Sequence, residues 1–297
     1  MTLAPRVVLV HRRTEYTELL ARHATRGQAE FFLKSRGRSI GEVKDRHDLL
    51  EASLAAVTGA IPDDARRARV ERTDLDRYVF APEDIIVVVG QDGLVANVAK
   101  YLTGQPVIGI DPEPGRNAGV LVAHSPVEAS GIIAATIAGR APVHVRAMVQ
   151  ASLDDGQKLV ALNELYLGDE GHQSSRYVLT VPDGSSERQS SSGVIISTGT
   201  GSTGWASSIA NDRGLLQTLP TPEGSSLGWY IREAWPSRAT GRTLTAGVLG
   251  HAELLKFVVE SDSLVVFGDG IETDYLPVSW GQRVSIGVSD RTLALVQ

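Results

Sequence analysis

Four short motifs in this sequence combine residue types that can carry chemistry. The first, Gly90-Gln91-Asp92-Gly93, follows an apolar run and precedes an apolar helical pattern. A glycine turn after a strand lets the backbone approach a phosphate, and the N-terminus of the next helix favours anions. Because Asp92 would repel a phosphate, it fits better as a general base that takes a proton from an alcohol, or as a group linked to Mg²⁺. The structural alternative is an Asp N-cap in a βα turn.

The second motif is a loop of glycines and hydroxyl residues, Gly199–Gly204. Its G-x-G-x-x-G spacing is that of a dinucleotide fingerprint, but the flanking β-hairpin pattern is not the βαβ context which that fingerprint requires. The loop is still rich in N–H and hydroxyl groups that suit a ribose, a phosphate or an adenine edge. The alternative is a flexible turn.

Two further motifs place polar residues in or after apolar strands. Asn163-Glu164 interrupts the run Leu159–Leu167, where polar groups cost free energy unless they are hydrogen-bonded. This pair could hold vicinal hydroxyls, and the alternative is simple alternation with Glu164 facing solvent. Gly268-Asp269-Gly270 follows Leu264–Phe267 and by itself predicts a tight turn.

The elements around these motifs change character along the chain. The first part predicts strands alternating with helices, which indicates a parallel sheet with helices on both faces. Its predicted elements are strand Val7–Val10, a helix from Glu15 to about Leu33, a helix capped by Ser39 and ended by Gly59 and Pro62, strand Asp84–Gly90, helix Leu94–Leu102 and strand Val107–Ile110. After about residue 125, one more helix, Gly131–Gly139, precedes a β-rich region.

The β-rich region is expected to consist of strand pairs joined by turns. The predicted strands are Val143–Leu153, Lys158–Leu167, Tyr177–Val181, Val194–Ser197, Lys256–Glu260, Leu264–Phe267 and Arg283–Gly287, with a short helix at Trp205–Ala210. Asp154-Asp155-Gly156 predicts a hairpin turn. The serine-rich stretch Ser185–Ser192 predicts a mobile loop.

Composition excludes several classes of function. With 29 Lys and Arg against 35 Asp and Glu, the net charge is −6, so a global basic field for nucleic acid or an anionic membrane is absent. The lack of cysteine excludes disulfides, thiol nucleophiles and Cys-based metal sites. The seven histidines show no metal spacing, and the apolar runs are far shorter than the roughly 20 residues that span a bilayer. We expect a cytoplasmic globular protein that binds neither nucleic acid nor membrane.

Taken in order, the motifs resemble those of the NAD kinase family: a Gly-Asp-Gly turn, an Asn-Glu pair, a Thr/Ser/Gly loop (Thr198–Trp205) and a late Asp-Gly turn. The branch with the animal mitochondrial NAD kinases is the most similar, through segments such as Val107-Ile-Gly-Ile-Asp-Pro112. The resemblance covers most of the chain and is weakest between about Leu215 and His251.

The resemblance implies a two-domain fold, with an α/β nucleotide-binding domain at 1–125 and a β-rich acceptor-binding domain at 126–297, whose last segment could return to the first. It implies an active site in the crevice between them. There a phosphoryl group would pass from ATP or polyphosphate, with Mg²⁺ on the donor phosphates, to the adenosine ribose 2′-hydroxyl of NAD or NADH. These small nucleotides would be its partners, in a homo-oligomer of two or more subunits.

The same resemblance assigns roles to individual residues. Asp92 would be the catalytic base and Gly90 and Gly93 would allow close approach of phosphate. Residues that would bind the acceptor or the cofactor are Asn163, Glu164, Thr198, Thr200, Gly201, Ser202, Thr203, Trp205 and Asp269. No residue is assigned to a metal.

The sequence departs from the family pattern Gly-Gly-Asp-Gly-Thr at Gln91 and Leu94, and it has Asp111 where the family usually has Asn. Gln91 adds bulk and disfavours a positive φ, while Leu94 removes a hydroxyl. Two alternatives therefore stay open beside the kinase: a nucleotide-binding sensor with impaired catalysis, and a kinase of a different alcohol.

Overall fold

A computed structural model describes residues 4–115 and 119–297. The chain forms two compact units, one containing the residues up to His144 together with Ala294–Gln297, the other Val145–Leu293. The division falls after the helix that follows residue 125, because that helix packs into the core of the first unit.

The first unit is an α/β domain with a parallel sheet in the order β2-β1-β3-β4, followed by the end of the last strand of the chain. These strands are β1 (Arg6–His11), β2 (Arg66–Glu71), β3 (Asp84–Val89), β4 (Pro106–Ile110) and β16 (Arg283–Val296). The helices are α1 (Glu15–His23), α2 (Arg26–Lys34), α3 (Ile40–Ala60), α4 (Asp92–Ala99) and α5 (Ala129–Ile137).

Both faces of this sheet are buried, as the apolar strands predict. Side chains of α3 and α5 pack with Val7, Leu9 and Val87 on one face, while Val8 and Val88 on the opposite face have no exposed surface. The predicted α/β class of this part is therefore confirmed.

One predicted helix is wrong in its extent. The stretch from Glu15 to Leu33 forms two helices, because Thr25 starts the second by accepting the Gln28 N–H, and Ala24 between them has a positive φ of 60°. Ser39 caps α3 as expected, although its hydroxyl accepts the N–H of Gly41.

The second unit contains two antiparallel sheets. In the first, β5 (Val143–Leu153) pairs with β6 (Lys158–Ala161) and β16, and β16 leads on to β13 (Leu254–Val259), β8 (Ser175–Thr180) and β9 (Ser186–Ser191). The second has the order β12-β11-β10-β7-β14-β15. Its strands are β7 (Glu164–Gly168), β10 (Val194–Ser197), β11 (Leu227–Ile231), β12 (Ala246–Leu249), β14 (Ser263–Gly268) and β15 (Tyr275–Ser279).

The core of the second unit lies between its two sheets. Leu179, Phe257 and Ile286 of the first sheet pack with Leu165 and Ile196 of the second. Helix α6 (Trp205–Asp212) covers the other face of the second sheet, through contacts such as that between Ala206 and Tyr230. The predicted β-rich class is confirmed.

Two predictions in this unit are wrong. Ser185–Ser192 is not a mobile loop, since β9 pairs along its length with β8, and the Ser191 hydroxyl lies 2.7 Å from the buried Tyr177 hydroxyl. Lys158–Leu167 is not one strand, because the chain leaves the first sheet after Ala161 and enters the second at Glu164.

Candidate functional site

In the first unit, the predicted turn connects β3 to α4. Gly90 donates its N–H to the carbonyl of Ile110 at 3.0 Å, which joins the ends of β3 and β4. Helix α4 begins at Asp92, and Gln91 occupies the N-cap position without a capping side-chain bond. The structural alternative of an Asp N-cap is therefore wrong, and Asp92 lies in the first helical turn at the carboxyl end of a parallel strand, where ligands of such sheets gather.

The carboxylate of Asp92 binds three consecutive backbone N–H groups. Oδ2 accepts from Val120 at 2.8 Å, and Oδ1 accepts from Leu121 and Val122 at 3.0 Å each. A carboxylate offers about four lone-pair positions, so these bonds leave one position on Oδ2. The side chain thus holds the segment after β4 and keeps one acceptor position.

The two departures in this turn have structural explanations. Gln91 has a φ of −105°, so the turn does not require glycine there. Leu94 is a buried core residue. A Cβ added at Gly90 would lie 3.1 Å from the Cδ2 atom of Leu94, whereas a Cβ added at Gly93 would meet open space. Asp111 accepts the N–H of Glu113 at 2.9 Å, which uses one of its oxygens to close a local turn.

In the second unit, the site forms where the chain crosses from one sheet to the other at Leu162 and Asn163. The backbone N–H groups of both residues are taken by Asp269, at 3.1 Å to Oδ2 and 2.7 Å to Oδ1. Asp269 donates its own N–H to the carbonyl of Glu164 and has a φ of 56°, which is uncommon outside glycine. This late Asp-Gly turn therefore clamps the backbone of the Asn-Glu pair.

The Gly199–Gly204 loop holds the other side of the crossing. Thr198 donates its N–H to the carbonyl of Asn163 at 2.9 Å and its hydroxyl to that of Leu162 at 2.6 Å. A Cβ at Gly201 would come within 2.2 Å of the Asn163 carbonyl oxygen, so glycine is required for this approach. Ser202 donates its hydroxyl to the carbonyl of Thr198. Thr198, Gly201 and Ser202 thus shape the crossing.

Other side chains at this site have polar groups that do not hold the backbone of the crossing. The Asn163 amide and the carboxylate of Glu164 bond to no side chain or backbone group in the described ranges. The Thr200 hydroxyl is buried and has no partner there, while Thr203 is exposed. Because buried polar groups are normally paired, the Thr200 hydroxyl marks a place for a ligand, beside the partly buried polar groups of Asn163 and Glu164.

The ionisation of Glu164 is strongly affected by its surroundings. Burial, with a smaller contribution from the negative charge of Asp269, raises the pKa of its carboxyl from 4.5 to about 7. Both effects disfavour the charged form. Glu164 can therefore exchange a proton close to neutral pH.

An aromatic cluster that the sequence motifs did not reveal lies on the same face of the second sheet as Glu164. Tyr166 follows Glu164 by two residues, stacks on Trp205 at 5.9 Å between ring centroids, and lies 4.9 Å from the ring of Phe267. The guanidinium of Arg232 is 5.0 Å from the centre of the Trp205 ring. The period of two in strand β7 was the available signal, since it places Tyr166 on the same face as Glu164.

Neither a metal centre nor a membrane span is found in residues 4–115 and 119–297. No group of three His, Asp or Glu side chains there is arranged to hold an ion. None of the helices there has the length and apolar character needed to cross a bilayer.

Comparison with known proteins identifies relatives of one kind. No protein-family model matches the chain. It is 27% identical over 230 residues to "NAD kinase" of Chlorobaculum tepidum, covering 76% of this chain and 74% of that protein. It is also 27% identical over 254 residues to "NAD kinase 2, mitochondrial" of Rattus norvegicus, covering 69% of this chain and 60% of the rat protein. Both aligned stretches are longer than either unit.

A solved structure shares the fold across almost the whole chain. Yeast NADH kinase complexed with NADH superimposes with a TM-score of 0.61 and 14% identity, over 99% of this chain and 83% of the yeast chain. At this identity the likeness concerns the fold alone. The matched sequences carry the closer relationship, and together with the motifs in their expected order they show that this chain resembles the NAD kinase family.

Proposed function

We propose that this protein is a phosphotransferase that moves a phosphoryl group from ATP or polyphosphate to the adenosine ribose 2′-hydroxyl of NAD or NADH, giving NADP or NADPH. Its relatives named NAD kinase support the reaction class. The structural observation that carries the proposal is the set of side-chain polar groups around the sheet crossing, those of Asn163, Glu164 and Thr200, that have no hydrogen-bond partner among the described residues.

These groups match the chemistry of a ribose. Vicinal hydroxyls each donate and accept, so a carboxylate, an amide and a threonine hydroxyl placed together can satisfy both. Trp205 begins the helix directly after the loop, and its ring adds an aromatic surface of the kind on which a base can stack. This arrangement supports a nucleotide acceptor better than a simple lipid alcohol.

The proposed base is Asp92. Among the described residues its Oδ2 accepts only the Val120 N–H, so a substrate hydroxyl could donate to the remaining position while the segment stays bound. A positioned base is worth about 10²–10⁴ in rate. In the rival assignment the general base that takes the proton from the hydroxyl is Glu164, whose pKa is raised to about 7.

The donor side would rest on position and charge. The α4 N-terminus offers N–H groups, and open space around Gly93 allows phosphate to approach. Because the described residues include no cluster of acidic or imidazole ligands, we propose that Mg²⁺ arrives with the donor phosphates, where it would neutralise charge.

The test is NADP formation by the purified protein with both donors and both acceptors, comparing wild type with Asp92→Asn and Glu164→Gln. We expect Asp92→Asn to lower kcat by about 10²-fold or more and leave NAD affinity, measured by calorimetry, nearly unchanged. Asp63→Asn, an exposed change in the same unit, is the matched control. Undiminished turnover in Asp92→Asn would contradict the base assignment, and loss confined to Glu164→Gln would transfer the role to Glu164.

A nucleotide-binding sensor is the second candidate, favoured by the missing hydroxyl at Leu94. Robust Mg²⁺- and ATP-dependent NADP formation by the wild type would exclude it. A kinase of another alcohol would show thermal stabilisation by that alcohol rather than by NAD. The proposal also includes a cytoplasmic homo-oligomer of two or more subunits, which light scattering of the purified protein and fractionation of cells would test.

A further inference from the structure

Arg146 is a buried arginine with few hydrogen bonds. It lies near the start of β5 in the second unit and is only 4% exposed. Val149, Ala151 and Leu153 of the same strand point into the core, so alternation places Arg146 on the opposite face. It is therefore a charged group removed from solvent without being part of the apolar core.

Its hydrogen bonds satisfy only one edge of the guanidinium. Nη1 donates to Oε1 of Glu223 at 3.0 Å, and the Glu223 side chain is 65% exposed. Nε is buried without an acceptor in the described ranges, and none of those residues accepts from Nη2. An arginine has five N–H donors, and unpaired buried donors are costly. The Nε–Nη2 edge, which binds oxyanions with two parallel bonds, thus has no protein partner there.

The partner of Arg146 belongs to a segment that contacts the glycine-rich loop. Glu223 follows Thr221 and Pro222, and a Cβ added at Gly199 would lie 1.8 Å from the Thr221 carbonyl oxygen. Gly199 directly precedes Thr200, whose hydroxyl is buried without a partner in the described ranges. The Nε–H of Arg146 and the hydroxyl of Thr200, both without a partner among the described residues, therefore lie on elements that are linked through Glu223 and Thr221.

We propose that Arg146 binds a phosphate group through its Nε–Nη2 edge, with Glu223 holding the guanidinium when phosphate is absent. A phosphate dianion matches the two parallel donors and outweighs the single charge of one exposed carboxylate. The identity of the molecule that carries the phosphate depends on the proposed function. The binding of a phosphate group by this edge of Arg146 does not depend on it.

The test follows the Arg146 Nε–H signal by NMR of the full chain labelled with ¹⁵N-arginine, assigned by its loss in Arg146→Lys. Inorganic pyrophosphate is the first probe, followed by ATP and NAD in separate titrations. We expect pyrophosphate to shift this signal in wild type, and its affinity to fall about tenfold or more in Arg146→Lys because lysine lacks the fork. Glu223→Gln, an exposed change, is expected to tighten binding about threefold or more by removing a negative charge.

The matched controls are Arg188→Lys and Glu260→Gln, which alter another Arg–Glu pair in the same unit, with its arginine half-exposed. Neither control should change pyrophosphate affinity. Two results would overturn the proposal and leave Arg146 with a structural role. One is an Nε–H signal whose chemical shift does not change with pyrophosphate, and the other is equal pyrophosphate affinity in wild type, Arg146→Lys and Glu223→Gln. Because binding is measured without turnover, a failed kinase assay would not affect this result.

Discussion

Carboxylates in this protein have two distinct uses. Asp92, Asp269 and Glu187 each accept backbone N–H groups and so hold loops in place. Glu164 has no such bonds in the described ranges, and burial raises its pKa to about 7. The carboxylates of Asp92, Asp269 and Glu187 thus satisfy the backbone, while that of Glu164 stays available for other chemistry.

The first prediction concerns Glu164 and pH. Because its pKa is higher in the folded state than its ordinary 4.5, the folded protein binds more protons between pH 4.5 and about 7. Its contribution to the free energy of unfolding is fully present below about pH 4.5 and is lost as the pH rises towards 7. We expect Glu164→Gln to be more stable than wild type above pH 7, by up to about 3 kcal/mol, with the advantage disappearing at pH 4.5.

Urea unfolding at a series of pH values measures this difference. The exposed Glu272 provides the control, since Glu272→Gln should follow the wild-type profile. A Glu164→Gln protein whose stability difference from wild type is the same at pH 4.5 and pH 8 would show that Glu164 does not titrate in this range.

At the scale of elements, close backbone approaches form the site in the second unit. Strand β10 ends at Ser197, and the loop after it turns back so that Gly201 lies against the Asn163 carbonyl. Asp269 at the end of β14 reaches the same crossing. Three connections are therefore joined through hydrogen bonds to the backbone of the crossing, some of them from the side chains of Asp269 and Thr198.

The second prediction compares two glycines of this loop. Gly201→Ala would place a Cβ 2.2 Å from the Asn163 oxygen, whereas Gly204→Ala meets nothing nearer than 3.5 Å. We expect Gly201→Ala to destabilise the protein by about 1–3 kcal/mol and to weaken NAD binding, because the crossing must shift. Gly204→Ala should change both far less. Thermal unfolding and calorimetry measure the two effects, and equal behaviour of the two variants would contradict this account.

The elements that the sequence misjudged share a physical cause. The apolar run from Leu159 to Leu167 predicts one strand because both halves are buried, yet they belong to different sheets. Ser186–Ser191 has the composition of a loop, but pairing with β8 satisfies its backbone and places Gln189 and Ser191 in buried positions. Local composition does not report which strand will pair with a segment.

At the scale of the molecule, the last strand returns to the first unit. Ala294 and Leu295 pair in parallel with β4, and Val296 is 1% exposed within that unit's core. His124 and Pro142 make hydrogen bonds to Val296 and Gln297. The parallel sheet is therefore completed by residues from the far end of the chain, a contact of high sequence separation.

The third prediction tests this return. Val296→Ala should lower the free energy of unfolding of the first unit by about 2 kcal/mol through loss of buried methyl groups. Val248→Ala, at a half-exposed position in the second unit, should cost no more than about 0.5 kcal/mol. Hydrogen exchange locates the effect, since β3 and β4 should lose protection in Val296→Ala. Unchanged protection there would show that the last strand does not support this sheet.

The sequence alone determined the fold class, the order of the motifs and the resemblance to the NAD kinase family, because period, turn chemistry and short motifs are local properties that survive at low identity. It predicted β3, α4 and α6 to within a few residues. It also identified Asn163, Glu164 and Asp269 as candidates for one site. These predictions depend on neighbours in the chain and need no knowledge of packing.

Only the tertiary structure decided which polar groups are consumed by the fold and which remain available. Three findings depend on contacts between residues that are distant in sequence. Asp269 binds the backbone of the crossing, Thr200 has no partner in the described ranges, and Tyr166 stacks on Trp205. The buried Arg146 and its exposed partner Glu223 are separated by 77 positions. Pairing and burial arise when strands meet, so the availability of a side chain is a property of the folded molecule.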